Sequence, residues 1–204
     1  MTSLAESLPR IDAIVIGTSA GGVEALSRLL PPIPASLSAA ILIVVHVPRE
    51  RPSLLTDIFR VKCKLKVEEA LDKAEIKPGC IYFAPPDYHM LIDREFADSR
   101  PQLALSVDEV VQFSRPSIDV LFESAADIYG TRLLGVLLTG GNEDGAAGMA
   151  YIAQCGGSTV VQEPAEALTS TMPDGALKVM KPTHVLRLDD IRNLLISLAT
   201  KTAR

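Results

Sequence analysis

An apolar segment runs straight into a glycine-rich turn in Ile11-Asp12-Ala13-Ile14-Val15-Ile16-Gly17-Thr18-Ser19-Ala20-Gly21-Gly22. The apolar segment predicts a buried β-strand over about residues 11–16, and the residues after the turn predict a helix over about 21–30. Glycines permit the sharp turn and expose the hydroxyl of Ser19, as a nucleophile requires. Taken alone, the motif fits equally well a tight turn that carries an incidental polar residue.

Further strand and helix patterns alternate along the chain. Residues 40–45 form a nearly continuous apolar run, typical of a strand buried on both faces, and lead to His46. Pro48 and Pro52 precede a predicted helix near residues 53–59. Later patterns predict helices over 117–129, 146–154, 174–180 and from 190, and strands over 133–138, 159–161 and 184–188. The fold class is therefore α/β, with a doubly wound, mostly parallel sheet and helices on both faces.

The middle of the chain departs from this alternation. Between residues 64 and 107, strand-like pieces at 80–84, 90–92 and 103–107 are separated by turns instead of helices. We expect an antiparallel hairpin excursion from the parallel sheet in this region.

Length, charge and cysteine content indicate the domain organisation and exclude some classes of partner. The 204 residues predict an N-terminal tail over 1–10 and a single catalytic domain over 11–200. A net charge of −5 argues against nucleic acid as a partner. The three cysteines fit neither a paired disulfide framework nor a zinc site, so we expect free thiols in a cytoplasmic protein with no metal and no cofactor. We find no signal peptide and expect no insertion into a membrane.

Three chemically suited residues follow predicted strands. Ser19 follows the first strand, His46 follows the second, and Asp144 lies in the loop after the strand at 133–138. Because the carboxyl ends of parallel strands meet at one sheet edge, these residues could supply the nucleophile, the base and the orienting acid of a serine hydrolase. Alternatively, His46 is a structural histidine and Asp144 caps the helix that starts near Ala146. Glu143 is a competing orienter.

Other residues of the same loops are candidate contacts with a substrate. Thr18 precedes Ser19, and Met172 lies in a loop that should open on the same edge. His89, between two strand-like pieces, is the main rival for the role of base. A turn histidine bonded to backbone is the simpler interpretation of His89, and a proline-started helix the simpler one at Met172-Pro173.

Several motifs in order resemble one family over nearly the whole chain. They are Ile16-Gly17-Thr18-Ser19-Ala20-Gly21-Gly22, Val45-His46-Val47-Pro48, Ala84-Pro85-Pro86-Asp87-Tyr88-His89-Met90, Ser114-Arg115-Pro116-Ser117-Ile118-Asp119-Val120-Leu121-Phe122, Leu138-Thr139-Gly140 and Asp144-Gly145-Ala146-Ala147-Gly148-Met149. The chain resembles the catalytic domain of the CheB-type chemotaxis-receptor methylesterases. The resemblance implies that Ser19, His46 and Asp144 form the catalytic triad. It also implies that the substrate is a methylated glutamate on the cytoplasmic helices of a methyl-accepting chemotaxis receptor, with deamidation of receptor glutamines as a second activity.

The resemblance has two departures. The family usually reads Thr-Gly-Met-Gly where this chain has Thr139-Gly140-Gly141-Asn142, so Gly141 replaces the methionine whose backbone helps to form the oxyanion site. We expect the N–H groups of Gly141 and Ala20 to supply that site, in a looser loop. The family also commonly carries an N-terminal receiver domain, for which residues 1–10 leave no room, so the regulatory partner stays unknown.

Alternatives of other classes remain. The altered Gly141-Asn142 loop motivates a catalytically degenerate domain that acts as a signalling or scaffold protein. Residues 17–21 also match the G-x-S-x-G elbow of α/β-hydrolases, but there the acid precedes the histidine in the chain. A dinucleotide-binding module would need a glycine at Ser19 and an acidic residue at His46, and a receiver-type module would need an acidic pair after the first strand.

Overall fold

The computed structural model describes residues 4–47, 54–96 and 98–201. Its strands are β1 (Ala13–Thr18), β2 (Ala40–Val45), β3 (Lys66–Glu69), β4 (Cys80–Phe83), β5 (His89–Asp93), β6 (Gln102–Ser106), β7 (Leu133–Leu137), β8 (Ser158–Gln162) and β9 (His184–Leu186). Its helices are α1 (Gly22–Leu29), α2 (Leu55–Arg60), α3 (Ile118–Tyr129), α4 (Ala146–Gln154), α5 (Thr171–Val179) and α6 (Leu188–Lys201). Seven strands form a parallel sheet in the order β3-β4-β2-β1-β7-β8-β9, and β5 pairs with β6 in a separate antiparallel hairpin.

Strand β1 lies at the centre of the sheet and is buried along its whole length. Ile14 and Ile16 belong to one apolar cluster, and Ala13 and Val15 belong to the cluster on the opposite face. This division follows from the period of two along a strand. A central strand without a polar face needs a layer of helices on each side of the sheet.

The helices supply those two layers. Apolar side chains of α1, α2 and α6 belong to the cluster of Ile14 and Ile16. Apolar side chains of α3, α4 and α5 belong to the other cluster, together with Met90, Ile92 and Leu103 of the β5–β6 hairpin. The hairpin therefore covers the sheet on the same face as α3.

The structure confirms the predicted α/β class, the mostly parallel sheet with helices on both faces, and an antiparallel hairpin in the middle of the chain. Most element ends differ from the predicted ones by a few residues, while β2 and α4 coincide with the prediction. The predicted helix start at residue 53, with Pro48 and Pro52, lies outside the described residues.

One prediction for the middle of the chain is wrong. The piece at 80–84 was expected in the antiparallel excursion, but β4 lies in the main sheet, parallel to both β2 and β3. All residues of β4 are buried. A strand that is buried on both faces belongs inside a layered sheet, which the local turn pattern does not show.

The segment expected as an N-terminal tail packs on the fold where it is described. Residues 4–7 form a short 3₁₀ turn against α6, and Ala5 and Leu8 are buried in the same cluster as Ile14. Cys63, Cys80 and Cys155 are free thiols. Across the described ranges, no helix combines the length and the apolar character needed to cross a membrane.

Candidate active site

Ser19 and His46 stand side by side at the carboxyl edge of the sheet. Thr18 and Val45 pair as the last residues of β1 and β2, and Ser19 and His46 follow them. The N–H of His46 donates to the carbonyl of Thr18 at 3.1 Å, and the N–H of Ser19 donates to the carbonyl of Thr139 at 3.0 Å. Backbone pairing thus continues beyond the strands and aligns the ends of β2, β1 and β7.

The turn after Thr18 depends on its glycines. Gly21, the N-cap of α1, has a φ of +82°, a conformation that L side chains rarely adopt. A Cβ at Gly22 would lie 2.5 Å from Cγ2 of Thr18, so the helix start packs tightly on the strand end. Within this turn Ser19 is half-buried and Ala20 is exposed. The turn therefore leaves Ser19 at the surface of the sheet edge.

His46 is hydrogen-bonded to Asp144. Nε2 of His46 lies 2.8 Å from Oδ2 of Asp144, with the two side chains 13% and 0% exposed. An ionised carboxylate only accepts hydrogen bonds, so Nε2 carries the proton and donates it to Asp144. In neutral His46 the lone pair is then on Nδ1, which makes Nδ1 the basic atom.

The first turn of α3 binds the same carboxylate. Oδ1 of Asp144 accepts from the hydroxyl of Ser117 at 2.9 Å and from the N–H of Asp119 at 3.0 Å, and Oδ2 accepts from the N–H of Ile118 at 2.7 Å. The N-terminus of a helix carries a partial positive charge and free N–H groups, both of which favour an anion. Ser117 and α3 were not predicted to take part in the site.

These donors keep Asp144 ionised. Burial raises the pKa of Asp144, but the hydrogen bonds from His46, Asp119 and Ile118 outweigh burial, and the pKa stays below its ordinary value. The alternative that Asp144 caps α4 does not hold, because Gly145 is the N-cap of that helix and no side chain bonds there. The competing orienter Glu143 is exposed and pairs with Lys178 at 3.2 Å.

The hydroxyl of Ser114 lies near Nδ1 of His46. Oγ of Ser114 is 3.4 Å from Nδ1 of His46 and 3.4 Å from the carbonyl of Gln112. The amide of Asn142 also reaches Oγ of Ser114 at 3.4 Å. The sequence signal for Ser114 was its position at the start of the Ser-Arg-Pro-Ser motif, but spacing gave it no role.

His89 is enclosed by the backbone. Its side chain is 1% exposed. Nδ1 accepts from the N–H of Ser117 at 3.1 Å, and Nε2 donates to the carbonyl of Glu109 at 3.0 Å. With both ring nitrogens occupied, His89 fits the structural interpretation better than a contact with substrate, and it supports the loop that leads into α3.

Thr18 and Met172 also lie below the surface. The hydroxyl of Thr18 is buried and donates to the carbonyl of Thr139 at 2.8 Å. Met172 is fully buried, and a Cβ at Gly140 would lie 2.6 Å from its sulfur. Both residues hold the loop that follows β7, and neither side chain is open to solvent.

The N–H groups expected at an oxyanion site belong to exposed residues. Ala20 and Gly141 are exposed, and within the described part of the chain neither N–H donates to another backbone group. Around them, the hydroxyl of Thr139 donates to the carbonyl of Ala20 at 2.9 Å and accepts from the N–H of Thr169 at 3.0 Å. Thr139 thus joins the turn after β1 to the loop after β7.

No group of three or more histidine, cysteine, aspartate or glutamate side chains is arranged to hold a metal ion in the described ranges. At the ends of the adjacent strands β1 and β2, the site offers the half-buried hydroxyl of Ser19 and, in His46, a histidine whose tautomer is fixed by a carboxylate.

Comparison with known proteins decides the family. The model of the CheB methylesterase family matches residues 14–195. The chain belongs to the CheB methylesterase family. The match covers the parallel sheet except for Ala13 and includes every residue of the site, and it confirms the predicted resemblance and the predicted enzyme class.

Curated relatives of this family are similar along most of the chain. A protein of Leptospira interrogans named "Putative protein-glutamate methylesterase/protein-glutamine glutaminase" is 43% identical over 187 residues, which are 92% of this chain and 94% of the relative. A protein-glutamate methylesterase/protein-glutamine glutaminase of Syntrophus aciditrophicus is 34% identical over 96% of this chain, which spans 56% of that relative.

A solved structure of the family has the same fold. The CheB methylesterase catalytic domain of Thermotoga maritima superimposes with a TM-score of 0.87 and 28% sequence identity. The superposition covers 93% of this chain and all of the Thermotoga chain. These names do not favour the alternative of a catalytically degenerate scaffold.

Proposed function

We propose that the chain is a serine hydrolase that removes methyl groups from glutamate methyl esters on chemotaxis receptors. The observation that carries this proposal is the 2.8 Å hydrogen bond between His46 and Asp144 at the strand end next to Ser19. That pair supplies a base with a fixed tautomer beside a half-buried hydroxyl. The names of the CheB-family relatives supply the substrate class.

In the first half of the proposed reaction, Nδ1 of His46 takes the proton of Ser19 as Oγ attacks the ester carbonyl. The new C–O bond gives a tetrahedral oxyanion, which the N–H groups of Ala20 and Gly141 stabilise. Collapse breaks the bond to the methoxy oxygen, and the proton on Nδ1 passes to that oxygen. Methanol leaves, and the glutamyl group stays esterified to Ser19.

In the second half, a water molecule gives a proton to Nδ1 of His46 and attacks the acyl-enzyme. Collapse of the second tetrahedral intermediate returns that proton to Oγ of Ser19 and releases glutamate. Asp144 stays ionised throughout and holds Nε2–H, because its pKa is below the ordinary value. The buried hydrogen bonds from α3 fix the carboxylate during both halves.

The same acyl-enzyme forms from a glutamine side chain if ammonia leaves in place of methanol. The relatives' names, which include protein-glutamine glutaminase, support this second activity. The proposed site of action is the cytoplasm, where the free thiols of Cys63, Cys80 and Cys155 would persist.

The test is demethylation of a chemotaxis receptor that carries labelled methyl esters. We expect wild type to release labelled methanol, and Ser19→Ala to lower kcat by at least about 10³-fold, because the nucleophile is lost. Ser114→Ala is the matched variant, since the hydroxyl of Ser114 lies 3.4 Å from Nδ1 of His46. It should keep the ability to form an acyl-enzyme on Ser19, as detected by mass spectrometry of the acid-quenched protein.

Three results would reject the proposal. Full methanol release by Ser19→Ala would exclude Ser19 as the nucleophile, and loss of acyl-enzyme only in Ser114→Ala would transfer that role to Ser114. A wild-type protein that binds receptor without releasing methanol would instead indicate a scaffold.

A further inference from the structure

A two-residue turn projects beside the site. Val111 and Ser114 exchange backbone hydrogen bonds of 3.1 and 2.8 Å, and the two residues between them, Gln112 and Phe113, have φ values of +49° and +62°. Turns with two left-handed central residues usually contain Asn-Gly or Gly-Gly, because a side chain with a Cβ is strained there. We call residues 111–114 the tip.

Phe113 is unfavourable for the fold in two ways. It occupies a backbone conformation that suits glycine, and its side chain is 97% exposed. A fully exposed phenyl group gains nothing from burial. Strain that persists at an exposed position is a reason to look for a function of the side chain.

Hydrogen bonds on both sides of the tip connect it to neighbouring loops and to the base. Arg115 donates to the carbonyls of Val107 and Asp108 at 2.7 and 2.9 Å and to the carboxylate of Asp87 at 2.8 Å. The amide of Asn142 donates to the carbonyl of Gln112 at 3.5 Å. Ser114, the last residue of the tip, reaches Nδ1 of His46. Phe113 therefore lies in a turn whose next residue, Ser114, contacts the base.

A second exposed apolar side chain lies in the loop between β8 and α5. Leu168 is 74% exposed, and its Cβ is 2.9 Å from the position of a Cβ at Gly21, two residues after Ser19. Exposed carboxylates of the segment that Arg115 joins to the tip belong to Asp108 and Glu109, whereas Glu143 is paired with Lys178. Negative charges repel a glutamate product but do not repel a neutral methyl ester, so the rim favours the esterified surface.

We propose that Phe113 and Leu168 are docking contacts for the protein surface that carries the glutamate methyl ester. The inference rests on the proposed function and adds to it the residues that select a protein substrate. Continuity with His46 and the acidic rim favour this occupant over a second copy of the chain. Apolar anchors of this kind raise affinity for the whole substrate without touching the reacting atoms.

Phe113→Gly removes the phenyl group and relieves the left-handed backbone, so the variant should fold with an unchanged or higher melting temperature. We expect its KM for methyl-labelled receptor to rise about tenfold, with kcat changed less than about threefold. Labelling of Ser19 by a fluorophosphonate, a small probe that needs no docking, should proceed at the wild-type rate. Leu168→Ser should raise KM in the same way.

Phe96→Gly is the matched control. Phe96 is 67% exposed but follows β5 at the end of the hairpin that lies away from His89. The KM of Phe96→Gly for methyl-labelled receptor should equal that of wild type. A second measurement does not depend on turnover: the affinity of Ser19→Ala for the methylated receptor should fall about tenfold when Phe113→Gly is added.

The outcomes separate the two proposals. An unchanged KM and an unchanged affinity in Phe113→Gly overturn the docking role. A change in the monomer–dimer equilibrium of Phe113→Gly, with KM unaffected, also overturns it, because the tip would then be a contact between two copies of the chain. Failure of wild type to react with the fluorophosphonate at Ser19 counts against the proposed function instead.

Discussion

Ile118 fills the space that a side chain on Gly17 would need. A Cβ at Gly17 would overlap Cγ2 of Ile118 and lie 3.0 Å from its Cδ1, and a Cβ at Gly145 would lie 2.7 Å from the same Cγ2. The first turn of α3 therefore rests directly on β1, which brings the N–H of Ile118 within 2.7 Å of Asp144. The glycine in the strand allows a helix to bind the carboxylate.

Gly17→Ala should destabilise the protein by about 1–3 kcal/mol, because the added methyl group overpacks a filled core. It should also lower the rate of methanol release, since α3 must move away from Asp144. Urea unfolding and the receptor assay measure the two effects. Gly141→Ala is the control for unfolding alone and should lose no stability, because the nearest atom to a Cβ there is 4.0 Å away. Wild-type stability of Gly17→Ala would show that Ile118 yields without cost.

Asp144→Asn should lower kcat by about 10³–10⁴-fold. The amide nitrogen cannot accept a hydrogen bond, so it favours the tautomer of His46 in which Nδ1 is protonated and cannot accept the proton of Ser19. We also expect a loss of about 1–3 kcal/mol of stability, because donors from Ser117 and α3 lose an acceptor. Glu143→Gln, at an exposed carboxylate, should retain wild-type activity. The reverse pattern would assign the orienting role to Glu143.

The main sheet was predictable because its central strands are apolar on both faces. Residues 40–45 and 133–138 have no other stable location than a sheet between two helical layers. The pairing of β4 was not predictable from local pattern. Its partners β2 and β3 lie elsewhere in the chain, and short strands linked by turns look the same in either sheet.

The site was predictable to the extent that strand ends determine it. Ser19, His46 and Asp144 each follow a parallel strand, so the topology alone groups them. The contributions of Ser114 and Ser117 depend on contacts over 68 and 27 residues of sequence. Neither these contacts nor the choice of Nδ1 as the basic atom leaves a periodic signal in the chain.

Ser117→Ala tests whether the N-cap of α3 also positions Asp144. The hydroxyl of Ser117 donates to Asp144 and accepts from the N–H of Val120 at 3.5 Å. Its loss should cost about 1 kcal/mol of stability and lower kcat more than it changes KM. Ser170→Ala is matched to it, because Ser170 is the N-cap of α5 without a side-chain capping bond. Equal effects of the two variants on kcat would contradict a positioning role for Ser117.

The free energy of unfolding of Asp119→Asn should rise relative to that of wild type as pH rises from 4 to 7. Burial and the charge of Asp144 raise the pKa of Asp119 to about 6. The hydrogen bond from the N–H of Gly148 opposes this shift and only partly offsets it. A carboxyl group with a raised pKa binds more protons in the folded state, so its contribution to stability is present below about pH 4 and lost as pH rises through about 6.

Asparagine at position 119 does not titrate and keeps an oxygen for the N–H of Gly148, which lies 2.7 Å from Oδ1. Between pH 4 and pH 7, the difference in unfolding free energy between the variant and wild type should therefore grow by on the order of 1 kcal/mol. Chemical denaturation at pH 4, 5, 6 and 7 measures it. A constant difference would mean that Asp119 is no harder to ionise in the folded protein than in the unfolded chain.

Gly141→Met restores the residue that the family usually has in this loop and tests what the glycine costs. Gly141 is exposed, with open space around a Cβ and a φ outside the left-handed range. The substitution keeps the N–H and reduces the freedom of the unfolded chain, so stability should rise by about 0.4–1 kcal/mol. A stiffer loop should hold the N–H at least as well, with kcat unchanged or raised a few-fold. Gly140→Met should instead disrupt the protein, because the side chain of Met172 fills that space. A large loss of kcat in Gly141→Met alone would show that the loop needs the freedom of a glycine to form the oxyanion site.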